Sequence, residues 1–330
     1  MLILFVVLIL AMIAFGIGLK IFENHMPEPV ISEGDFLADE QSEELAALGS
    51  LKLNGNTYSY YHDFETYLIM GTDKTGADSK VYQGSMSDFL MLVIVDKTDN
   101  NYSFLPINRD TMSEVRLIQD DGTGAATAEL QLCTAHWYGG NAGQSCANTV
   151  ESISKLFGGL EIDGYYAIPM DEIPKLNHSV GGVTVTLFQD IDRQMKKGET
   201  LALSDEQAYH YIHDRYGVGD EKNTSRMKRQ QQYMEAFFTK AKEKAKSDKA
   251  YVSQLFRKFE QTATTNLTVK KISGLTNRLI KGTQKGFFEI QGTSKIGKAL
   301  GDGIDHAEFY PDKESIIDVM TKIYGLKKRK

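Results

Sequence analysis

Two aspartates and a group of arginines have the types and spacing that could hold a phosphate ester. Asp73, in MGTDKTG, follows the short apolar run Thr66 to Met70, and Asp88, in SMSDFLML, precedes the apolar run Phe89 to Val95. If those runs are neighbouring strands, both carboxylates converge at one sheet edge. Such a pair suits a hard cation such as Mg2+, held by one or two carboxylates plus substrate phosphate oxygens. The blander account is that each is a turn or strand-terminal aspartate. Arg109 and Asp110 end a third apolar run, Tyr102 to Ile107, and read equally well as a buried structural ion pair.

The stretch DEKNTSRMKRQQQY (220–233) is richer. On a helix starting near Ser225, residues Arg226, Arg229, Gln230 and Tyr233 share one face, with Met227, Met234, Phe238 and Ala241 as an adjacent apolar stripe. Arg215, in YIHDRYG just upstream, could join them, and planar forked donors match phosphate oxygens better than ammonium groups do. A solvated basic helix face is the alternative. His210 and His213 sit at helical i, i+3 spacing, but no third ligand stands in motif position for zinc. Surface or core packing is expected for that pair, and plain packing for His136 and Trp137. Cys133 and Cys146 enclose 12 residues that include Gly139, Gly140 and Gly143. So flexible a segment can bring the Cα atoms within the ~4.4–6.8 Å a bridge requires, so a disulfide is expected, with two buried thiols as the alternative.

Around these residues the pattern is that of an α/β chain. TYLIM (66–70) and FLMLVIV (89–95) read as strands, the second covered on both faces, and YSFLPI (102–107) as a hairpin partner. Helices are expected at Asn148–Phe157, after Ser204 with Gln207 completing a capping box, at Ser225 to about Lys246, at Tyr251–Gln261 and at Lys313–Tyr324. Tyr165–Ile168 and Gly182–Leu187 read as further strands. No Gly/Pro/Ser-rich break follows residue 60, so one domain is expected over 57–326.

Residues 1–22 begin with an apolar run, Met1 to Leu19, that lacks charged side chains and approaches the length of a membrane span, at ~1.5 Å rise per residue. The run is longer than the usual signal-peptide core and has no clean cleavage site, so a retained anchor is expected. The acidic flank after it favours an extracytoplasmic placement of the rest, with 23–56 as a stalk. Asp and Glu number 44 against 37 Lys and Arg, a formal charge of −7, so no global positive field exists to hold nucleic acid.

In family order, the words YLIMGTD (67–73), SDFLMLVIVD (87–96), LPINRDTM (105–112), the WYGG and NTVESISKLFGG segment (137–159), IDGYYAIPMDEI (162–173), VGGVTV (180–185) and LSDEQAYHYIHDRYG…RMKRQQQY (203–233) resemble the LytR-CpsA-Psr (LCP) family of bacterial cell-wall enzymes. The resemblance implies a single mixed-sheet α-β-α sandwich domain of the α/β class behind an N-terminal transmembrane helix. It also implies a phosphotransferase that moves a glycopolymer from undecaprenyl pyrophosphate to peptidoglycan or another wall acceptor. By motif position, Asp73 and Asp88 look like Mg2+ ligands. Arg109, Arg215, Arg226 and Gln230 look like pyrophosphate-site residues, with Asp110 as organiser or base and Arg229 as a basic neighbour. An apolar pocket for the polyprenyl chain would lie beside them. Two basic positions of the family pattern differ here: GSMSD (84–88) lacks the preceding arginine, and His213-Asp214-Arg215 replaces Arg-x-Arg. A membrane-anchored pyrophosphatase acting on the same lipid, and a non-catalytic wall-polymer-binding or regulatory protein, are the competing functions.

Overall fold

The structure, a computed structural model, describes residues 49–73, 85–118, 124–139, 141–248 and 250–329. In chain order its strands are β1 (Gly49–Leu53), β2 (Asn56–Tyr60), β3 (Phe64–Thr72), β4 (Ser87–Asp96), β5 (Tyr102–Pro106), β6 (Met112–Ile118), β7 (Gly124–Gln131), β8 (Gly164–Pro169), β9 (Thr184–Thr186), β10 (Thr200–Ala202), β11 (Thr264–Thr265), β12 (Gln284–Phe287), β13 (Gly292–Gly297), β14 (His306–Pro311) and β15 (Lys327–Lys328). Its helices are α1 (Thr134–Trp137), α2 (Ala142–Leu156), α3 (Ile173–Ser179), α4 (Asp205–His213), α5 (Asn223–Ser247), α6 (Tyr251–Phe259), α7 (Val269–Lys281) and α8 (Lys313–Tyr324). The expected spanning helix at 1–22 and most of the expected stalk lie outside the described residues. Among the described residues, no helix is long and apolar enough to cross a membrane.

The central sheet runs β11-β8-β3-β4-β5-β12, mixed because β3/β8 and β5/β12 are parallel while the other pairs are antiparallel. The apolar run expected as a doubly covered strand is the middle of β4, where Leu90 to Val95 are all buried. Alternate side chains divide between two cores, as the two-residue period of a strand requires. Leu68, Met70, Leu90, Leu92, Ile94 and Leu105 pack with α2 and α8 through Ile153, Ile316, Val319, Met320 and Tyr324. Tyr67, Met91, Val93, Tyr102 and Phe104 face Met234 and Phe238 of α5 and Leu275 and Leu279 of α7. Helices on both faces make the expected α-β-α arrangement.

The capping box of α4 forms as read: Gln207 N–H donates to Ser204 Oγ at 3.1 Å, and Ser204 N–H donates to Gln207 Oε1 at 2.9 Å. Helix α2 starts earlier than expected because Asn141 caps it, its side chain accepting from Gln144 N–H at 3.0 Å. Strand β9 is shorter than Gly182–Leu187 because Gly181 and Gly182 turn with positive φ of 78° and 83°. Strand β1 falls inside the segment expected as stalk. Its Leu51 and Leu53 are buried in the main core, and it pairs with β2 across an Asn54-Gly55 turn, φ 47° and 74°, that suits a tight hairpin.

The expected disulfide is not formed: Cys133 and Cys146 are both free and buried. The backbone of Cys133 is clamped between strands, its N–H donating to Arg109 O at 3.0 Å and its O accepting from Ser87 N–H at 3.3 Å. Its sulfur accepts from Arg109 Nη2 at 3.1 Å. Cys146 points from α2 into the main core, and its sulfur lies 3.7 Å from His136 Nε2. The glycines allow the chain to close, but each sulfur is directed to a different partner.

Candidate functional site

Three strand ends meet at one end of the central sheet. Strand β3 finishes where antiparallel β4 begins, and β5 returns beside β4, so Asp73, Asp88 and Arg109-Asp110 come together from separate segments. The pairing of β3 with β4 shifts here: Gly71 faces Phe89, but Thr72 faces Ser87, which makes Asp88 the extra residue of a bulge. A bulge re-aims a side chain that regular alternation would send elsewhere. Asp73 is fixed from behind by its own N–H, which donates to Met86 O at 3.0 Å.

Asp88 is the hub. It is 7% exposed, its Oδ1 pairs with Arg109 Nη1, and its Oδ2 accepts from Arg226 Nη1 at 3.0 Å. Arg109 Nε lies 3.5 Å from Asp110 Oδ1. Arg226 is buried on the first turn of α5 and donates through Nε and Nη2 to Asn223 Oδ1 at 3.1 and 2.8 Å. Asn223 Nδ2 donates in turn to Asn108 Oδ1 at 2.8 Å, which also accepts from Asp110 N–H at 2.9 Å. Helix α5 is thus tied to the loop that carries Arg109. Neither Asn108 nor Asn223 stood out in the sequence, since an asparagine at a turn or helix start has ample local reasons to be there.

The remaining predicted residues separate. Arg226, Arg229, Gln230 and Tyr233 do share one face of α5, but that face is the buried one while the Met227, Met234, Phe238 and Ala241 stripe is half-buried. Arg229 and Gln230 turn towards the end of α4: Arg229 Nη2 donates to Asp214 O, and Gln230 Nε2 to Ile212 O at 3.1 Å. They hold the segment that carries His213 and Arg215. Arg215 itself lies over the exposed Tyr216 ring, 4.5 Å from its centroid. With Arg109, Asp110, Gln131, Thr134 and His306 it lines a polar cavity of about 260 Å3.

Sequence spacing set His213 beside His210, and the two share Asp214 through their Nδ1 atoms, at 3.0 and 2.8 Å. Only His213 also faces the carboxylate pair, with Nε2 3.8 Å from Asp73 Oδ1. Ligand atoms of Asp73, Asp88 and His213 all lie within 4.8 Å of one another, a spacing one divalent cation could gather. Two carboxylate oxygens supply the hard donors Mg2+ takes.

Electrostatics follow from this crowding. Burial works to raise the Asp73 carboxyl, but contact with His213 and the guanidiniums of Arg109 and Arg226 outweighs it and holds Asp73 below the ordinary carboxylate range. Asp73 raises His213 in return, against the effect of burial. Burial pushes Asp110 up despite Arg109 and Arg226. Burial, then repulsion from Arg109, brings Arg226 down to about 10, which leaves it charged at neutral pH.

Beneath the site, between β3, β4 and the helices α5 to α7, lies an apolar cavity of about 210 Å3 lined by Ile69, Val93, Phe238, Leu255, Phe256 and Leu279 among others. A smaller cavity of about 60 Å3 shares Ile69 and Leu176 with it and reaches Phe89, next to Asp88, and Gln230, one turn beyond Arg226. Residues 33–323 match the LytR_cpsA_psr family. The chain belongs to that family. Solved structures of similar fold include TagV of B. subtilis, at 21% identity and TM-score 0.59, covering 79% of this chain and 96% of that one. Protein gbs0355 from Streptococcus agalactiae aligns at 21% identity and TM-score 0.62, covering 81% and 90%. TagT bound to LI-WTA aligns at 19% identity and TM-score 0.57, covering 80% and 91%. At these identities the likeness is one of fold. No curated protein matches the chain.

Proposed function

We propose that this chain moves a glycopolymer from undecaprenyl pyrophosphate, or a similar polyprenyl pyrophosphate, to a hydroxyl of peptidoglycan or another wall acceptor, with Mg2+ at Asp73 and Asp88. One observation carries the reading: a buried guanidinium–carboxylate cluster adjoins apolar cavities under the same sheet, a pairing that suits an amphiphile with an anionic head. The solved complex of TagT with LI-WTA, a wall teichoic acid, supports a glycopolymer as the cargo.

In this reading, Arg109 and Arg226 bind the pyrophosphate through the Nη groups that now meet Asp88, and Arg215 meets it from the loop above. Asn223 holds the Arg226 guanidinium, and Asn108 ties Asn223 to the loop that carries Arg109. The acceptor enters by the polar cavity that Asp110 lines. Its hydroxyl oxygen bonds to the polymer-bearing phosphorus, the phosphorus–oxygen bond to the lipid phosphate breaks, and the electron pair leaves with polyprenyl phosphate. The hydroxyl proton passes to Asp110, whose burial makes it a better base than an exposed aspartate. A cation at Asp73 and Asp88 would supply neutralisation of the pyrophosphate charge. Phosphoryl transfer of this kind asks for positioning and charge stabilisation more than covalent chemistry. The apolar run at Met1 to Leu19 would keep the domain, outside the cytoplasm, at the membrane that holds the carrier.

A reconstituted transfer assay tests it. Cation-dependent attachment of polymer to the acceptor should disappear in Asp73→Ala. Arg226→Lys, which keeps the charge but loses the fork, should lose roughly one to two decades of lipid affinity or rate. Release of polyprenyl phosphate without any acceptor would make the protein a pyrophosphatase, and lipid retention without turnover would make it a binding protein. Unchanged binding and turnover in Asp73→Ala and Arg226→Ala would place the site elsewhere.

A further inference from the structure

His213 is held in the way a metal-ligating histidine is held. Its Nδ1 lies 3.0 Å from Asp214 Oδ1, and Asp214 is anchored on its other side by His210 Nδ1 at 2.8 Å. The imidazole stacks on Tyr209, with centroids 4.6 Å apart and planes at 15°. With Nδ1 donating to Asp214, Nε2 is the nitrogen turned towards Asp73 and Asp88, within the 4.8 Å cluster, and an ion there takes the place of the Nε2 proton. Histidines that bind metals almost always donate their other ring nitrogen to a carboxylate or carbonyl, which fixes ring and tautomer. Neither Arg109 nor Arg226 removes Asp88 from such a site, because an ionised carboxylate offers about four lone-pair positions. The side chains of Asp73 and His213 are 40% and 30% exposed, so a hydrated ion can reach the cluster from solvent.

We infer that the cation site is a mixed nitrogen–oxygen site, in which His213 Nε2 joins Asp73 and Asp88 and shifts preference from Mg2+ towards an imidazole-accepting divalent ion such as Mn2+. The inference rests on the proposed cation role of Asp73 and Asp88 and concerns which ion they hold. Mg2+ prefers oxygen ligands and retains its water, whereas first-row transition ions take nitrogen as well, and Mn2+, the weakest binder of that series, is the one that shares the liking of Mg2+ for carboxylate oxygen. An arginine in the same place, as in the related pattern, could supply no ligand.

The experiment is Mn2+ and Mg2+ binding to the full chain in detergent, with no lipid present, followed by calorimetry and by pulsed electron paramagnetic resonance of bound Mn2+. Wild type should show nitrogen coupling to Mn2+. His213→Ala should abolish that coupling and weaken Mn2+ by at least ~10-fold while changing Mg2+ far less. Asp214→Asn keeps the ring but loosens its orientation, and should weaken Mn2+ by ~10–100-fold. Absence of nitrogen coupling in wild type, or equal loss of both ions in His213→Ala, would overturn the inference and leave an all-oxygen site. Failure of wild type to bind either ion, both alone and with inorganic pyrophosphate added, would remove the parent assignment of Asp73 and Asp88, and this inference with it.

Discussion

Leu92 and Val93 are neighbours on β4 and face opposite ways. Leu92 enters a core closed by α2 and α8, in which Ile153, Phe157, Met320 and Tyr324 are at most 1% exposed. Val93 faces the helices α5 to α7, where α7 has no fully buried residue and an apolar cavity of about 210 Å3 remains. The same strand, with the same residue chemistry, is packed solid on one face and left with space on the other. Interiors are normally close-packed, so an apolar space of this size beside a charged cluster is a place for a ligand rather than an ordinary core. In the proposed reading the packed face carries stability and the open face carries binding.

That division can be broken by truncation. Leu92→Ala should cost about 3–5 kcal/mol in chemical denaturation, because its neighbours cannot collapse into the gap. Leu275→Ala, half-buried on α7 and already lining space, should cost only about 1 kcal/mol. Equal losses would mean that both faces are ordinary core. Filling the cavity sharpens the contrast. Leu255→Trp should weaken a long-chain prenyl pyrophosphate by ~10-fold or more, while inorganic pyrophosphate binding and the melting temperature change little. A uniform loss for both ligands would show that the cavity does not hold the chain.

The pH dependence of wild type is the smallest expected effect, although loss of the group behind it is not. Because burial raises Asp110, the acid limb of transfer should lie above the ~3.9 of an exposed aspartate. Protonation removes the base, so the rate should fall as pH drops through this limb, and Asp110→Asn should abolish transfer at all pH values without moving the affinity for lipid. The stability linkage has the opposite sign: a carboxyl with a raised folded-state pKa favours the fold when protonated, and that contribution fades as pH rises through the same value.

Much of the sheet was legible because its strands are long and apolar, and the last helix, Lys313–Tyr324, has the extent its periodicity suggested. Segments without that signal were missed. Strand β7, GAATAELQ, has little apolar alternation, and β13, GTSKIG, is almost entirely exposed. Helix α7 did carry a cue, Thr268 as a cap followed by Ile272, Leu275 and Leu279 at helical spacing. At the site, residue types pointed to anion and cation chemistry, but the partnerships did not follow from them. Asp88 meets Arg109 and Arg226 through strand register and a bulge, and His213 turns towards Asp73 because Asp214 and Tyr209 hold its ring. The two cysteines show the same limit, since their spacing allowed a bridge that side-chain direction prevents.

The central claim is that one amphiphile occupies both the charged cluster and the open face of the sheet. The most direct measurement is a crystal structure of the chain with a prenyl pyrophosphate and a divalent cation. The account predicts the pyrophosphate within hydrogen-bonding distance of Arg109 and Arg226, the cation on Asp73 and Asp88, and the prenyl chain along Ile69, Val93 and Leu255 beneath α5 to α7. Lipid density away from that cavity, or a head group that leaves the Asp88 ion pairs untouched, would contradict it.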